Sequence, residues 1–524
     1  MNDNNTDVTD VNLLYPHPEL VLGICAPVGT NSNRVVDAMK QRLEQHFGYT
    51  VEEIRVSSAV IRTYASVEEI PGWKEYERIN AYMDAGNHLR LRTRSDGIMA
   101  YGVIRKIFSK RDPKNLYRRK TAYIVNSLKH PKEVEALRNV YAGGFYLFGI
   151  ASQESTRKKF LMEERNVPEA EAEKLIARDR WEDEDYGQQT SKAFHLSDFF
   201  IPQESERDLL NQAIWRSFDL LFGNPYTTPS FDEYAMFMAF TASLRSADLS
   251  RQVGAVITRD NEILSSGAND CPKYGGGLYW PVFNEAEKKY VDHVGGRDYT
   301  LGKDKNKEAQ QEIIDNILAQ IKTGCDKLNT KNGIECLSQQ CLENIRSALK
   351  NSEIQDLTEF GRVVHAEMEA MLFCARNNIS CRGATLYCTT FPCHNCAKHL
   401  IAAGIEKVIY VEPYPKSRAL QYYQEEICES SFYNTEKSDK VAFVPFVGVG
   451  PRKFFDLFST KLSSGYVVKR KDSDGKIADW TKENASPRLN MTPIDYFQKE
   501  AIAVDIFSRI IEQFEKENFN DKAE

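Results

Sequence analysis

The residues whose types and spacing best suit chemistry are His365, Glu367, Cys393 and Cys396. They stand in the runs Val363-Val364-His365-Ala366-Glu367-Met368-Glu369-Ala370 and Thr389-Thr390-Phe391-Pro392-Cys393-His394-Asn395-Cys396. One imidazole and two thiolates are soft or borderline donors that suit tetrahedral Zn²⁺, and three protein ligands leave the fourth position for water, the pattern of a catalytic site. Glu367 lies two residues beyond His365, close enough to face that position without being a ligand. Zinc lowers the pKa of a bound water toward ~7, and a carboxylate beside it can take the proton and later give it to a departing amine. A structural zinc site would need a fourth protein ligand, for which Cys388 and His394 are the nearby candidates. Cys388, alternating with Leu386 along residues 384–389, reads as an interior strand residue, and His394 would point to solvent or a neighbouring loop.

Both ligand groups fall at helix starts. Ala370, Met371, Leu372 and Ala375 follow the histidine; Ala397, Leu400, Ile401 and Ala402 follow the cysteines, with Gly404 as the stop. The partial positive charge of a helix N-terminus favours the thiolate form of Cys393 and Cys396.

H-x-E followed by P-C-x-x-C is a zinc-deaminase signature, and through it the chain resembles the cytidine and deoxycytidylate deaminase superfamily. Arg251-Gln252-Val253-Gly254-Ala255-Val256-Ile257 resembles that family's first strand, and Gly267-Ala268-Asn269 resembles the turn whose Asn bonds the sugar. The resemblance implies Asn269 as a sugar contact and the backbone around Ala366 as the reader of the pyrimidine edge. Arg251, Lys416 and Ser417 are candidate phosphate contacts, with surface pairing as the equal alternative.

A strand at 407–411 is followed by Glu412-Pro413-Tyr414-Pro415-Lys416-Ser417, a helix at 418–428 and a strand at 441–446. A helix between consecutive strands implies parallel neighbours. This favours the deoxycytidylate and polynucleotide-acting branch over free-cytidine enzymes. Within it, the whole chain resembles bacterial phage-defence deoxycytidine-nucleotide deaminases, including at Gly276-Gly277-Leu278-Tyr279-Trp280, Arg297-Asp298-Tyr299 and Gly448-Val449-Gly450-Pro451-Arg452. That resemblance implies an α/β chain in which an N-terminal P-loop kinase-like parallel-sheet domain precedes a cytidine-deaminase-like α/β/α domain with a mixed five-stranded sheet. It also implies a deoxycytidine nucleotide substrate (dCTP or dCMP), a homo-oligomer, a role in depleting nucleotides during phage infection and, in some relatives, an inhibitory small RNA.

At the N-terminus an apolar run at 20–25 meets Ala26-Pro27-Val28-Gly29-Thr30-Asn31-Ser32-Asn33, then a helical pattern at 34–46 and a strand at 49–56. This is the rhythm of a parallel α/β sheet, continued by strands at 121–125, 145–150 and 198–201. Gly23, Gly29 and Thr30 mark a loop that resembles a phosphate loop but has one residue too many between its glycines and Thr30-Asn31 where Lys-Ser/Thr would stand. A regulatory nucleoside triphosphate, with or without Mg²⁺, a plain scaffold, and phosphoryl transfer remain the three readings. Arg178, Gln188 and Gln189 faintly resemble a nucleotide-kinase lid.

The expected division is a tail at 1–17, a P-loop-like domain at 18–225, a deaminase domain at 230–460 with a decorating insertion at 284–355, and a C-terminal hairpin and helix at 461–524. The hairpin is expected at 466–480. In the last helix Thr492 is the expected N-cap, and Ile502, Ile506, Phe507, Ile510 and Phe514 are the expected packed face. Cys325, Cys336 and Cys341 with His293 could form a second zinc site, though free thiols explain them better.

The 524 residues carry a net charge of −7, which gives no global field for nucleic acid. The eleven cysteines fit reduced thiols and a metal better than a disulfide framework. With a polar, acidic start and no membrane-length apolar run, the expectation is a cytoplasmic protein acting on a small soluble substrate. A polynucleotide deaminase and a non-catalytic zinc-containing nucleotide sensor are the competing readings.

Overall fold

The computed structural model describes residues 17–520, except 66, 68–71, 181–186, 204–206, 333–337, 358, 415, 433–438, 462–466, 472–473 and 490–492. The first sheet is built from β1 (Leu20–Cys25), β2 (Thr50–Arg55), β3 (Thr121–Asn126), β4 (Phe145–Ala151) and β5 (Phe199–Pro202), in the order β5-β4-β1-β3-β2, all parallel. β1, β3 and β4 are buried at every position, as continuous apolar strands covered on both faces must be. Alternation along β1 divides the cores: Leu20, Leu22 and Ile24 join the helices Ser32–Phe47 and Arg207–Leu221, and Val21 and Cys25 join Ile98–Phe108 and Pro131–Tyr141.

The second sheet begins with β6 (Gly254–Arg259) and β7 (Glu262–Ala268), joined by Asp260 and Asn261, both in the left-handed region (φ 53° and 60°), which short Asx side chains tolerate in a two-residue hairpin. A small hairpin, β8 (Val282–Asn284) with β9 (Lys289–Val291), stands apart. β10 (Thr385–Thr390), β11 (Lys407–Glu412), β12 (Ile427–Glu429) and β13 (Val441–Pro445) complete the order β7-β6-β10-β11-β13-β12. β6 is antiparallel to β7 and β10; β10, β11, β13 and β12 run parallel.

Six strands replace the expected five. The helix expected at 418–428 is only Ala419–Tyr422, because Ala419 is its single buried residue and no apolar stripe continues through Gln424-Glu425-Glu426. Ile427 instead turns extended and packs in the core opposite Val441.

The two sheets interlock. β14 (Gly448–Val449), placed by sequence in the second unit, adds antiparallel to β5 of the first. Glu233 holds this crossing: it closes the capping box of the helix Phe231–Ser243, accepts the Val449 N–H at 2.9 Å and pairs with Arg216 at 2.8 Å. The Gly450 N–H then donates to Asp198 O before the helix Pro451–Phe458 begins.

The C-terminal helix Pro493–Asn520 packs on the first unit through Tyr496, Ala503, Phe507, Ile511 and Phe514. Ile502, expected on that face, is 60% exposed, and Ile506 also faces outward. The rotation is fixed by a buried acid: Arg111 bridges Glu500 (2.7 Å) and Glu19 (2.8 Å), all three almost wholly buried. Thr492 lies outside the described residues, as do 466, 472 and 473 of the expected hairpin, which the described residues show as the single bridge Lys471–Ile477.

Arg111→Leu would leave Glu19 and Glu500 buried without their cation. The expected loss is about 3–5 kcal/mol, read from the urea midpoint; an unchanged midpoint would show that the triad does not hold the helix.

Candidate metal centre and substrate pocket

His365 occupies the extended N-cap position of the helix Ala366–Arg376, and Cys393 that of the helix His394–Ala402, its Sγ accepting the Cys396 N–H at 3.4 Å. The first helix can lie this close to the sheet only because residue 267 is glycine: a Cβ there would sit 2.2 Å from Ala366 O. Gly254 does the same on the strand beside it, where a Cβ would fall 1.9 Å from Ala239 O of the helix Phe231–Ser243. The Asp270–Val364 bridge then holds the chain before His365 against the end of β7.

His365, Cys393 and Cys396 place one ligand atom each within 4.8 Å of the others. His365 Nδ1 is 3.4 Å from Cys393 Sγ and 3.3 Å from Cys396 Sγ. Ligand bonds of ~2.0–2.3 Å around a tetrahedral zinc put donor atoms roughly 3.3–3.8 Å apart, so this set fits the ion. Cys388 is buried in β10 with the core, and His394 packs edge-on against Tyr422. Among the described residues neither joins the group.

The electrostatics suit a cation. The hydrogen bond from Cys396, more than the opposing burial, holds the Cys393 thiol down to about 4, with His365 helping. Cys396 is pushed well above its ordinary value, first by that same bond and then by burial, and the bond to Cys393 raises His365 to about 9. A metal ion displaces the protons so retained. Burial raises the Glu367 carboxyl, with the Cys393 thiolate pushing the same way and His365 opposing both.

His365, Glu367 and Cys393 line a cavity of about 220 Å³ together with Arg251, Asn269, Ala366, Phe391 and Tyr414. Asn269 Oδ1 accepts the Val253 N–H at 2.7 Å, and its Nδ2 donates to Arg251 O at 2.7 Å. An amide NH₂ carries a second hydrogen, so this clamp leaves Asn269 one donor. Arg251 pairs with Glu412 at 2.7 Å. Lys416 lines the neighbouring cleft rather than this cavity, and the Ser417 hydroxyl donates to Pro392 O at 2.8 Å, bracing the loop before Cys393.

The insertion supplies part of the wall, which its polar composition concealed. Asp298, Asp304 and Asn306 line the cavity. Arg362 donates to Asp298 and to the carbonyls of Gly295 and Gly296, and Arg297 pairs with Asp270 and Asp292. The run Arg297-Asp298-Tyr299 was the available signal. Among the described residues the only metal-capable cluster is the one at His365; Cys325, Cys341 and His293 form none, and Cys336 lies outside them.

In the first unit, Gly29 (φ 83°) and Thr30 line a cavity of about 260 Å³. Gly23 does not: it is interior to β1, packed against Leu128 and Phe145. Asp179 occupies the loop, accepting the Val28 N–H at 2.8 Å and pairing with Lys129 at 2.7 Å. Gln188 lines this cavity, whereas Arg178 bonds Asn80 and Asp84.

Residues 229–412 match the family described as the cytidine and deoxycytidylate deaminase zinc-binding region. The deoxycytidylate deaminase of Enterobacteria phage T4 is 31% identical over 181 residues, 34% of this chain and 77% of that protein. The chain belongs to this deaminase family. The deoxycytidylate deaminase of phage T2 is 32% identical to the present deaminase over 181 residues, again 34% of this chain and 79% of the other. A solved dCMP deaminase of cyanophage S-TIM5, in complex with dCMP and dUMP, covers 42% of this chain and 100% of its own at 17% identity and TM-score 0.22. No helix among the described residues is long and apolar enough to cross a membrane.

His365→Ala and Cys396→Ser are each expected to reduce bound zinc from about one ion per chain to a small fraction, read by metal analysis of the dialysed deaminase. Full occupancy in either variant would remove that residue from the ligand set.

Proposed function

We propose that the chain hydrolyses the exocyclic amine of a deoxycytidine nucleotide, releasing ammonia and leaving the deoxyuridine nucleotide. The observation that carries this reading is that a three-ligand centre and a buried carboxylate, Glu367, open into one cavity. His365, Cys393 and Cys396 would hold a zinc ion, which would supply Lewis-acid activation of water beside the ring carbon that bears the amine. Glu367 carries one proton of the attacking water to the ring nitrogen and the other to the departing amine, so that water and substrate become ammonia and the uracil ring. Asn269 offers its remaining N–H to the sugar, the backbone at Ala366 meets the pyrimidine edge, and Arg251 faces the nearest phosphate. Lys416 and Ser417 take no part inside the cavity.

The wider reading is ours as well. Residues 18–225, joined by β14 and the helix after it, form a P-loop-like unit whose Gly29–Thr30 cavity takes a regulatory nucleoside triphosphate, with or without Mg²⁺. Asp179 must then yield the Val28 N–H to phosphate. The resemblance to phage-defence deaminases supports a homo-oligomer that depletes deoxycytidine nucleotides in the cytoplasm and is held in check by a small RNA.

Purified protein incubated with dCTP, dCMP, CTP and single-stranded oligonucleotides, with and without added nucleoside triphosphates, tests the substrate. Turnover of the oligonucleotide alone would reject this reading. Glu367→Gln is expected to keep its zinc and lose about 10²- to 10⁴-fold in kcat; undiminished kcat would take Glu367 out of the mechanism.

A further inference from the structure

Next to the metal-bearing cavity lies a wider cleft of about 1400 Å³, and the two share Arg251, Thr390 and Tyr414 in their walls. The cleft is bounded by both units. Lys192 comes from the helix Thr190–Phe194 beside the first sheet, Arg452 from the helix that follows β14, and Lys350 from the end of the insertion helix Gln339–Lys350.

Its charge is one-sided. Lys192, Arg251, Lys350, Lys416 and Arg452 line it against two carboxylates, Glu353 and Glu412. Each carboxylate already has a cation, Glu353 with Arg418 at 3.1 Å and Glu412 with Arg251 at 2.7 Å. Among the described residues neither Lys350 nor Arg452 forms an ion pair; the Arg452 guanidinium lies over the Phe240 ring at 5.2 Å, with Asp198 and Glu412 in its wider surroundings. The metal-bearing cavity has the opposite character away from Arg251, with Asp248 and Asp304 in its wall and Asp298 paired to Arg362. A polyanionic tail is therefore repelled from that side and drawn past Arg251 into the cleft, where low-dielectric walls concentrate the field of the cations.

From this we infer that the cleft receives the outer phosphates of a deoxycytidine triphosphate whose base lies at the metal centre, with Arg452, Lys192 and Lys350 as their partners. The inference rests on the deaminase reading and extends it. The N-terminal unit becomes part of the substrate site, and the phosphate count is read by residues outside the sequence motif. A monophosphate, ending near Arg251, would leave these three cations unused. A guanidinium and an ammonium group outside any ion pair, as at Arg452 and Lys350, are suited to non-bridging phosphate oxygens.

Steady-state kinetics on dCTP and dCMP test it, together with the affinity of inorganic tripolyphosphate measured by calorimetry. Arg452→Glu and Lys350→Glu, on separate elements, are each expected to lower the ratio of kcat/KM for dCTP to that for dCMP by about 10- to 100-fold. Both are expected to weaken tripolyphosphate binding by a similar factor, and Arg452→Lys to keep most of the ratio. Tripolyphosphate should compete with dCTP; stimulation of dCMP turnover by tripolyphosphate would instead mark an effector site and overturn the inference, as would equal losses on both nucleotides. If the parent protein turned over neither nucleotide, the deaminase reading would fall, while unaltered tripolyphosphate affinity in both variants would sink the cleft on its own.

Discussion

Two helix N-termini that meet at three donor atoms set the terms for the rest of this molecule. Each end brings unsatisfied N–H groups and a partial positive charge, worth about 0.3–1 kcal/mol to a nearby anion. A thiolate at Cys393 is stable there for the same reason that an N-cap side chain is. The ends can meet only if the helix after His365 lies almost on the backbone of β7, which is why residue 267 has no side chain. Sheet order follows from the same need. β10 and β11 run parallel so that the chain leaves β10 at the edge where Cys393 must stand, and β7, antiparallel to β6 as β10 is, runs the same way as β10 and brings Asn269 to that edge.

The second constraint is the interlock between the sheets. Glu233 serves a helix cap, a β14 amide and Arg216 together, so the first unit is fixed to the second by a buried carboxylate whose bonds all lie in the junction. A hinge would have to break the charge-assisted hydrogen bonds of a carboxylate that is itself buried. The junction therefore acts as a wall. It presents Arg452 and Lys192 across a fixed cleft, and the Arg111 triad extends the same rigidity to the C-terminal helix.

The convergence of His365, Cys393 and Cys396, the place of Glu367 beside them and the strands that carry them were legible because their signals are local: a fixed spacing, an apolar run, a helix start. What escaped was decided at a distance. Gly448–Val449 is too short to announce a strand, and its partner Phe199–Phe200 lies far back in the chain. The stripe of the last helix was misplaced at Ile502 because Glu500 counts as polar until Arg111 is known to meet it. Gly23 matched a loop pattern by spacing, yet Leu128 and Phe145 claim its missing side chain for packing. Asp298 and Asp304 lay in a tract whose composition spoke only of solvent, and their place in the cavity follows from Arg362 drawing the insertion back over His365.

That placement bears on why the insertion is acidic where it meets the site. On the proposed reading, Asp248 and Asp304 in the wall, with Asp298 paired to Arg362, disfavour phosphate there and leave the Arg251 side as the favourable exit. Orientation of a nucleotide then needs no tight grip on the base, because the substrate's own charge selects one direction of entry. Arg251 stands at the boundary with Glu412 as its partner, so on the proposed reading an arriving phosphate would exchange one anion for another instead of meeting a bare cation. Arg251 is itself exposed, and on the inferred reading the remaining discrimination falls to Arg452 and Lys350 further along the cleft.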